Sequence, residues 1–210
     1  MASAYFERFR ESMAIDYMKW HDGIGYDLEA LRQVTEEERE LALDILISRE
    51  AADWRDIEAL DCLGSPRALK EIKDALKSNN IEVKIEAAER LVRRELLDNA
   101  SIESLILDAL DSATLTNGMT MTLRFARAHA TPSVRQKLLW CALYGNDDIR
   151  VHAAALSHYL HGQSASAFDW SFRPLYLRFR SKEQTERQAA FIELCRSMNI
   201  DPDSIKSRVK

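Results

Sequence analysis

Apolar positions along this chain recur every three or four residues, the spacing that lines up one face of a helix. Leu41, Ile45 and Leu46 follow Thr35-Glu36-Glu37-Glu38, a capping box in which the threonine hydroxyl and Glu38 satisfy each other's backbone N–H groups. Asp53 caps a short helix through Ile57 and Leu60 that Gly64 stops. Ser65-Pro66 opens the next helix, with proline at the first helical position where its missing N–H costs nothing, and Leu69, Ile72 and Leu76 make the stripe. Asn80 precedes Val83, Ala87, Ala88 and Leu91, and Ser101 precedes Ile102, Leu105, Ile106 and Leu110. Thr131-Pro132 precedes Val134, Leu138 and Ala142, and Asp147 introduces Ile149, Ala153, Leu156 and Leu160. Ser181-Lys182-Glu183-Gln184 is a second capping box ahead of Ala189, Phe191 and Ile192. Two-residue alternation is not sustained anywhere. The pattern predicts roughly ten helices joined by links of about two to six residues, short enough to force antiparallel hairpins.

The hairpins repeat faintly. Val83-Lys84-Ile85-Glu86-Ala87-Ala88 matches Ile149-Arg150-Val151-His152-Ala153-Ala154, and a third alanine pair stands at Ala189-Ala190 after Arg187. Paired alanines let neighbouring helix backbones approach closely, as stacking requires at the same place in each unit. The stretch from Leu63-Gly64-Ser65-Pro66 through Ala75-Leu76 and Val83-Lys84 to Ala87-Ala88 resembles the HEAT-like repeat first described in phycobilisome lyases. Lys84 stands where that family usually has arginine. The match is good over this stretch, partial around 131–160 and weak elsewhere.

The resemblance implies an all-α, right-handed α–α superhelix, a short HEAT-like or armadillo-like solenoid of about five helical hairpins. One domain over 1–210 is expected, with 1–34 a divergent N-terminal cap, 35–164 the repeats and 165–210 C-terminal capping helices. Residues 66–77, 101–112 and 165–180 are the helices expected to line a concave face.

Composition fits an ordinary globular chain, with 46% hydrophobic and 30% charged residues and only 6 Gly and 4 Pro. No apolar run approaches the roughly 18 residues that span a bilayer, and charges interrupt the first ten residues where a signal peptide would be apolar. Cys62, Cys141 and Cys195 are odd in number and widely separated, which argues against disulfides or a thiolate zinc site and for a reducing cytoplasm. The net charge of −5 is unevenly spread. Residues 1–120 hold 26 acidic and 15 basic side chains, residues 121–210 hold 8 and 14.

Candidate chemistry is sparse. His21-Asp22 in the glycine-broken loop Met18–Leu28 is half of a triad, but neighbours in a loop rarely aim at each other, and a structural role in capping or loop closure is the competing reading. His152, His158 and His161 share one helix and are read as partly exposed helix-surface histidines, so no metal and no cofactor is expected. Phe168 through Arg180 interleaves aromatics with arginines, either packing in the core or forming a binding edge that Arg124, Arg127, Arg135 and Lys137 could extend.

These features favour a non-catalytic protein-binding module, of the adaptor or immunity-protein kind found in bacteria, whose acidic surface captures a basic partner protein. Contact is expected through Arg67, Lys70 and Asp74 and through Trp170, Arg173, Arg178 and Arg180. The alternative is a nucleic-acid binder or a HEAT-like DNA glycosylase using the basic C-terminal half, and a bilin-lyase role stands third. A membrane partner is not expected, and oligomeric state is left open.

Overall fold

A computed structural model describes residues 2–206 of the chain. These residues form helices, 3-10 turns and loops, with isolated bridges at Thr114–Asn117 and Thr114–Gly118 in place of any strand, so the expected all-α class holds. Among them no helix is long and apolar enough to cross a membrane. The chain divides into two compact units, Met1–Leu97 and Asp98–Lys210.

The first unit holds α1 (Ala4–Ser12), α2 (Tyr17–His21), α3 (Leu28–Gln33), α4 (Glu36–Ser48), α5 (Trp54–Leu63), α6 (Pro66–Asp74) and α7 (Ile81–Arg93). Its caps are those the sequence announces. Thr35 Oγ1 accepts from Glu38 N while Glu38 accepts from Thr35 N, and Glu38 also takes Ser3 N (2.6 Å) and Ser3 Oγ (2.8 Å). The Ser3 N–H is the largest influence holding Glu38 below the usual carboxylate range. Gly64 ends α5 at φ 67°, left-handed backbone that glycine adopts without strain.

Helix α5 is the centre of this unit and packs against α3, α4, α6 and α7. Ile57, Leu60, Ala68, Ile72, Val83, Ala87 and Leu91 are buried around it. Leu41 is exposed, contrary to the predicted stripe, because α4 turns Ala42, Leu43 and Leu46 inward instead. Arg90 on α7 reaches Glu58 (2.6 Å) and Asp61 (3.4 Å) on α5 and Glu86 on its own helix (2.5 Å). Arg94 adds a 2.6 Å pair to Asp61.

The second unit holds α8 (Asn99–Ser112), α9 (Met119–Ala128), α10 (Pro132–Tyr144), α11 (Ile149–Leu160), α12 (Arg173–Leu177), α13 (Gln184–Ser197) and α14 (Pro202–Lys206). Helix α11 packs on α9, α10 and α12. Ala87-Ala88 and Ala153-Ala154 are fully buried in their respective units, as close helix approach demands. In the third pair only Ala190 is buried and Ala189 is exposed, so that pair does not reproduce the packing.

Three further expectations need correction. Residues 165–180 are not one helix: the chain forms a 3-10 turn at Trp170–Phe172, the short α12, and another 3-10 turn at Arg178–Arg180. Gly162, at φ 73°, and the small polar run Ser164-Ala165-Ser166 separate it from α11, and Pro174 can sit only in a first helical turn. The Ser181 capping box does not form, because Ser181 Oγ accepts from Glu183 N and α13 starts at Gln184 without a side-chain cap. Asp147 does not cap α11, whose Ile149 N is taken by Asn146 Oδ1 (3.0 Å) while Asp147 pairs with Arg150.

Candidate functional site

The chemistry-bearing surface of the second unit is a cleft of about 620 Å³ at the start of α11. Two anchors shape its first wall. Asn146 Nδ2 donates to Ala113 O (2.8 Å) and Leu115 N donates to Asp148 Oδ2 (3.0 Å), which holds the 113–118 turn against the α10–α11 link. That turn leaves Leu115 71% exposed at the cleft edge, with Met119 buried behind it.

The opposite wall comes from the segment between α11 and α12. Asp169 accepts from Ser171 Oγ (2.6 Å), Ser171 N (3.0 Å) and Ala165 N (3.1 Å), bonds that keep its carboxyl below the usual range. The turn so fixed presents Trp170 at 73% exposure, with the Arg173 guanidinium 5.3 Å above its ring. Phe168 backs this wall through ring contacts to His152 (5.6 Å), Trp170 (5.9 Å) and Tyr176 (5.5 Å).

Arg173, Arg180 and Lys182 line the cleft together with Val151 and Leu177. None of these three cations has a carboxylate of the described residues within ion-pair distance. The two acids at the rim are already engaged, Asp147 by Arg150 and Asp148 by the Leu115 N–H. The cleft therefore offers unneutralised positive charge beside exposed apolar and aromatic surface.

A second pocket of about 250 Å³ adjoins it and shares His152 and Phe168. Leu123, Leu156 and Ala167 give it apolar walls, and Arg124 and Arg127 also line it. Arg127 lies over the Tyr159 ring at 4.9 Å. Desolvation holds the His152 pKa below its ordinary value, which favours the neutral ring between the two pockets.

Of the predicted contact residues, Trp170, Arg173 and Arg180 come together here. Arg178 does not, since it pairs with Glu193 (2.5 Å) and Glu186 (4.0 Å) on α13. Arg67, Lys70 and Asp74 sit on α6 in the first unit. There Arg67 bonds Glu40 (3.0 Å) and Asp44 (2.7 Å), while Asp74 pairs with Lys70 (3.6 Å) and Lys77 (3.3 Å). Arg124 and Arg127 extend the edge as expected, whereas Arg135 turns to the Ala130 and Leu160 carbonyls and Lys137 pairs with Asp111.

Of the three histidines at α11, His152 is exposed and His161 partly buried, as read, and His158 departs from expectation. His158 is buried, not superficial, with Tyr176 OH 2.9 Å from Nδ1 and Ser197 Oγ 3.2 Å from Nε2. His161 Nδ1 meets Ser157 O at 2.7 Å. His21 and Asp22 do face each other, Nδ1 to Oδ1 at 2.9 Å, on an exposed surface. The expected loop is in part helical, with His21 ending α2, and the segment is tied to α5 by buried Arg55, which donates to Ile24 O (2.6 Å) and Lys19 O (3.3 Å), and by Tyr26, which donates to Asp56 (2.9 Å). Among the described residues no three His, Cys, Asp or Glu side chains gather as metal ligands. Burial pushes the Cys141 thiol up to about 12, far from the thiolate form a nucleophile needs.

Sequence reasoning missed Leu115, Met119 and Lys182 as cleft residues. The signal for the first two was the Thr114–Gly118 stretch, whose Asn117-Gly118 step marks a turn. No family model matches the chain, and neither a curated protein nor a solved structure does.

Proposed function

We propose that this chain is a non-catalytic binding protein of the HEAT-like helical-repeat kind, and that its second unit takes an acidic, apolar-bearing segment of a partner protein. The repeat reading is supported by the buried alanine pairs at 87–88 and 153–154. It is also supported by Arg150, which bridges Gly145 O (3.2 Å) and Phe179 O (3.0 Å) at the position corresponding to Lys84. A right-handed stack of these hairpins is the architecture that goes with it.

The single observation carrying the binding role is the cleft itself: three uncompensated cations around an exposed tryptophan, with both rim carboxylates occupied internally. Unpaired charge beside apolar surface is the arrangement of an interface that lacks its other half. The acidic surplus of the first unit supports capture of a basic partner less well. There Asp56 is held by Arg49, Glu58, Asp61 and Glu86 by Arg90, and Glu40 and Asp44 by Arg67.

Nucleic acid is the second reading, favoured by the guanidinium stacked on Trp170. Fluorescence anisotropy of the full chain against labelled polyglutamate, polylysine and a single-stranded oligonucleotide separates the three readings. The expected result is polyglutamate binding that weakens with salt and is lost in the double variant Arg173→Glu/Arg180→Glu. Preference for polylysine or for the oligonucleotide would overturn the reading.

A further inference from the structure

The smaller pocket behind the His152–Phe168 pair has a different character from the cleft in front of it, and the difference specifies what a bound segment must carry. Its walls Leu123, Leu156 and Ala167 are apolar, and its volume of about 250 Å³ accommodates one large apolar side chain. Arg127, which also lines it, is stacked on Tyr159 and has no carboxylate of the described residues within ion-pair distance. On the far side of the His152–Phe168 divider stand Arg173, Arg180 and Lys182. Positive charge thus lines both the apolar pocket and the cleft that adjoins it.

Resting on the binding role above, we infer that the smaller pocket is an anchor subsite for a single leucine-sized or phenylalanine-sized side chain, in a segment with carboxylates on both sides of it. The anchor side chain enters between Leu123 and Ala167. A carboxylate on one side of it meets Arg127, and those on the other pass over Phe168 to the three cations of the cleft. The His152–Phe168 pair separates anchor from acids, so it fixes their spacing along the segment. A neutral His152 matters here, because a charged ring beside the anchor would oppose an apolar occupant.

This makes a requirement that charge alone does not. A purely acidic segment gains the Coulomb attraction of the cleft and leaves the smaller pocket wet. One apolar residue at the right place removes that apolar surface from water, which raises affinity by tenfold or more on the ordinary scale of side-chain burial.

The test uses the full chain and two sets of labelled synthetic peptides, glutamate-glycine sequences and the same sequences with one phenylalanine placed at each position in turn. Central phenylalanine is expected to tighten binding about tenfold or more over the acid-only peptide, and terminal placement much less. Ala167→Phe, which fills the pocket from its own wall, should abolish that gain and leave acid-only binding in place. Leu123→Trp, a plug from α9, should do the same, with circular dichroism and melting temperature establishing that each variant is folded. Acid-only binding with no gain from phenylalanine, or a gain that survives both plugs, would overturn the anchor while leaving the acidic cleft standing. Failure of every acidic peptide at low salt, or displacement of bound peptide by an oligonucleotide in preference to free acidic peptide, would overturn both.

Discussion

The Tyr176 hydroxyl lies 2.9 Å from Nδ1 of His158 beneath the aromatic wall of the cleft, and the surrounding bonds assign the direction of that contact. Ser197 Oγ donates its one proton to Leu194 O (2.7 Å), so at 3.2 Å it can only accept from His158 Nε2–H. Nδ1 therefore bears the lone pair, and Tyr176 donates to it. Protonating His158 would turn that acceptor into a donor inside a buried site, while Phe172 stands edge-on at 4.6 Å.

A pH dependence follows with a definite sign. Desolvation, reinforced by His161 and opposed by Asp169, holds the His158 pKa below its ordinary value, and desolvation lowers that of His152 too. The unfolded chain then binds protons that the folded chain resists, so the stabilisation is complete above the unfolded histidine pKa of about 6.5 and declines as pH falls below it. Protection factors of the α11 and α12 amides, corrected for the intrinsic slowing of base-catalysed exchange, should fall between about pH 7.5 and 5.5, above the range where carboxylates titrate. In His158→Gln, less stable at neutral pH, that fall should be smaller. Unchanged protection factors in the parent protein across that window would contradict this account.

Arg90 tests the electrostatics of the first unit. It is the cation shared by Glu58, Asp61 and Glu86, and Glu86 is almost fully buried. Burial pushes the Glu86 carboxyl up and Arg90 opposes that push, so removing Arg90 leaves a buried acid uncompensated. Arg90→Met should cost about 3 kcal/mol in urea denaturation, and adding Glu86→Leu should recover a good part of it. Equal stability of the single and double variants would show that the Arg90–Glu86 pair contributes little.

How much of this was legible in the sequence depends on the range over which each feature is decided. Caps at Ser65, Thr35 and Thr131 are local chemistry, settled within three residues, and each forms as read. The Ser181 box fails because Ser181 Oγ is taken by Glu183 N, and Arg187 Nη1 bonds both Ser181 O (2.8 Å) and Lys182 O (3.0 Å) ahead of the later helix start. His158 is buried because Tyr176 and Ser197, distant in sequence, close over it, which no local pattern announces. The cleft was half visible. The arginine-aromatic segment supplied Trp170, Arg173 and Arg180, while Leu115 and Met119 arrive through the Asn146 and Asp148 bonds to the 113–118 turn, which no periodicity encodes.

Two glycines should respond to alanine in the opposite order from their backbone angles. Gly64 has φ 67°, but a Cβ there meets nothing closer than Asp61 O at 3.8 Å, so Gly64→Ala should cost about 1 kcal/mol of backbone strain. Gly145 has an ordinary φ of −62°, yet a Cβ would lie 2.5 Å from Cys141 O and 2.7 Å from Ile149 Cγ2. Those atoms belong to the packed ends of α10 and α11 and cannot withdraw separately. Gly145→Ala should therefore cost about 2–3 kcal/mol and lower the melting temperature more than Gly64→Ala does. The reverse ranking would mean that the α10–α11 link yields more easily than its packing suggests.

Trp170 offers the sharpest separation of binding from folding. At 73% exposure, with ring contacts to Phe168 and Arg173, it contributes little to the core, and Trp170→Ala should change stability by no more than about 0.5 kcal/mol. Phe168→Ala is a poor probe by comparison, because it removes ring contacts to His152, Trp170 and Tyr176 together and should cost about 3 kcal/mol. If the cleft takes an acidic, apolar-bearing segment, the indole is surface that the segment covers. Trp170→Ala should then weaken polyglutamate-phenylalanine peptides about tenfold in anisotropy measurements, with melting temperature unchanged. The weakening should persist as salt rises, since it removes apolar contact, whereas that caused by Arg173→Gln should fade as screening reduces the charge contribution in the parent protein as well. A Trp170→Ala protein that binds these peptides as tightly as the parent would place the contact elsewhere than this cleft.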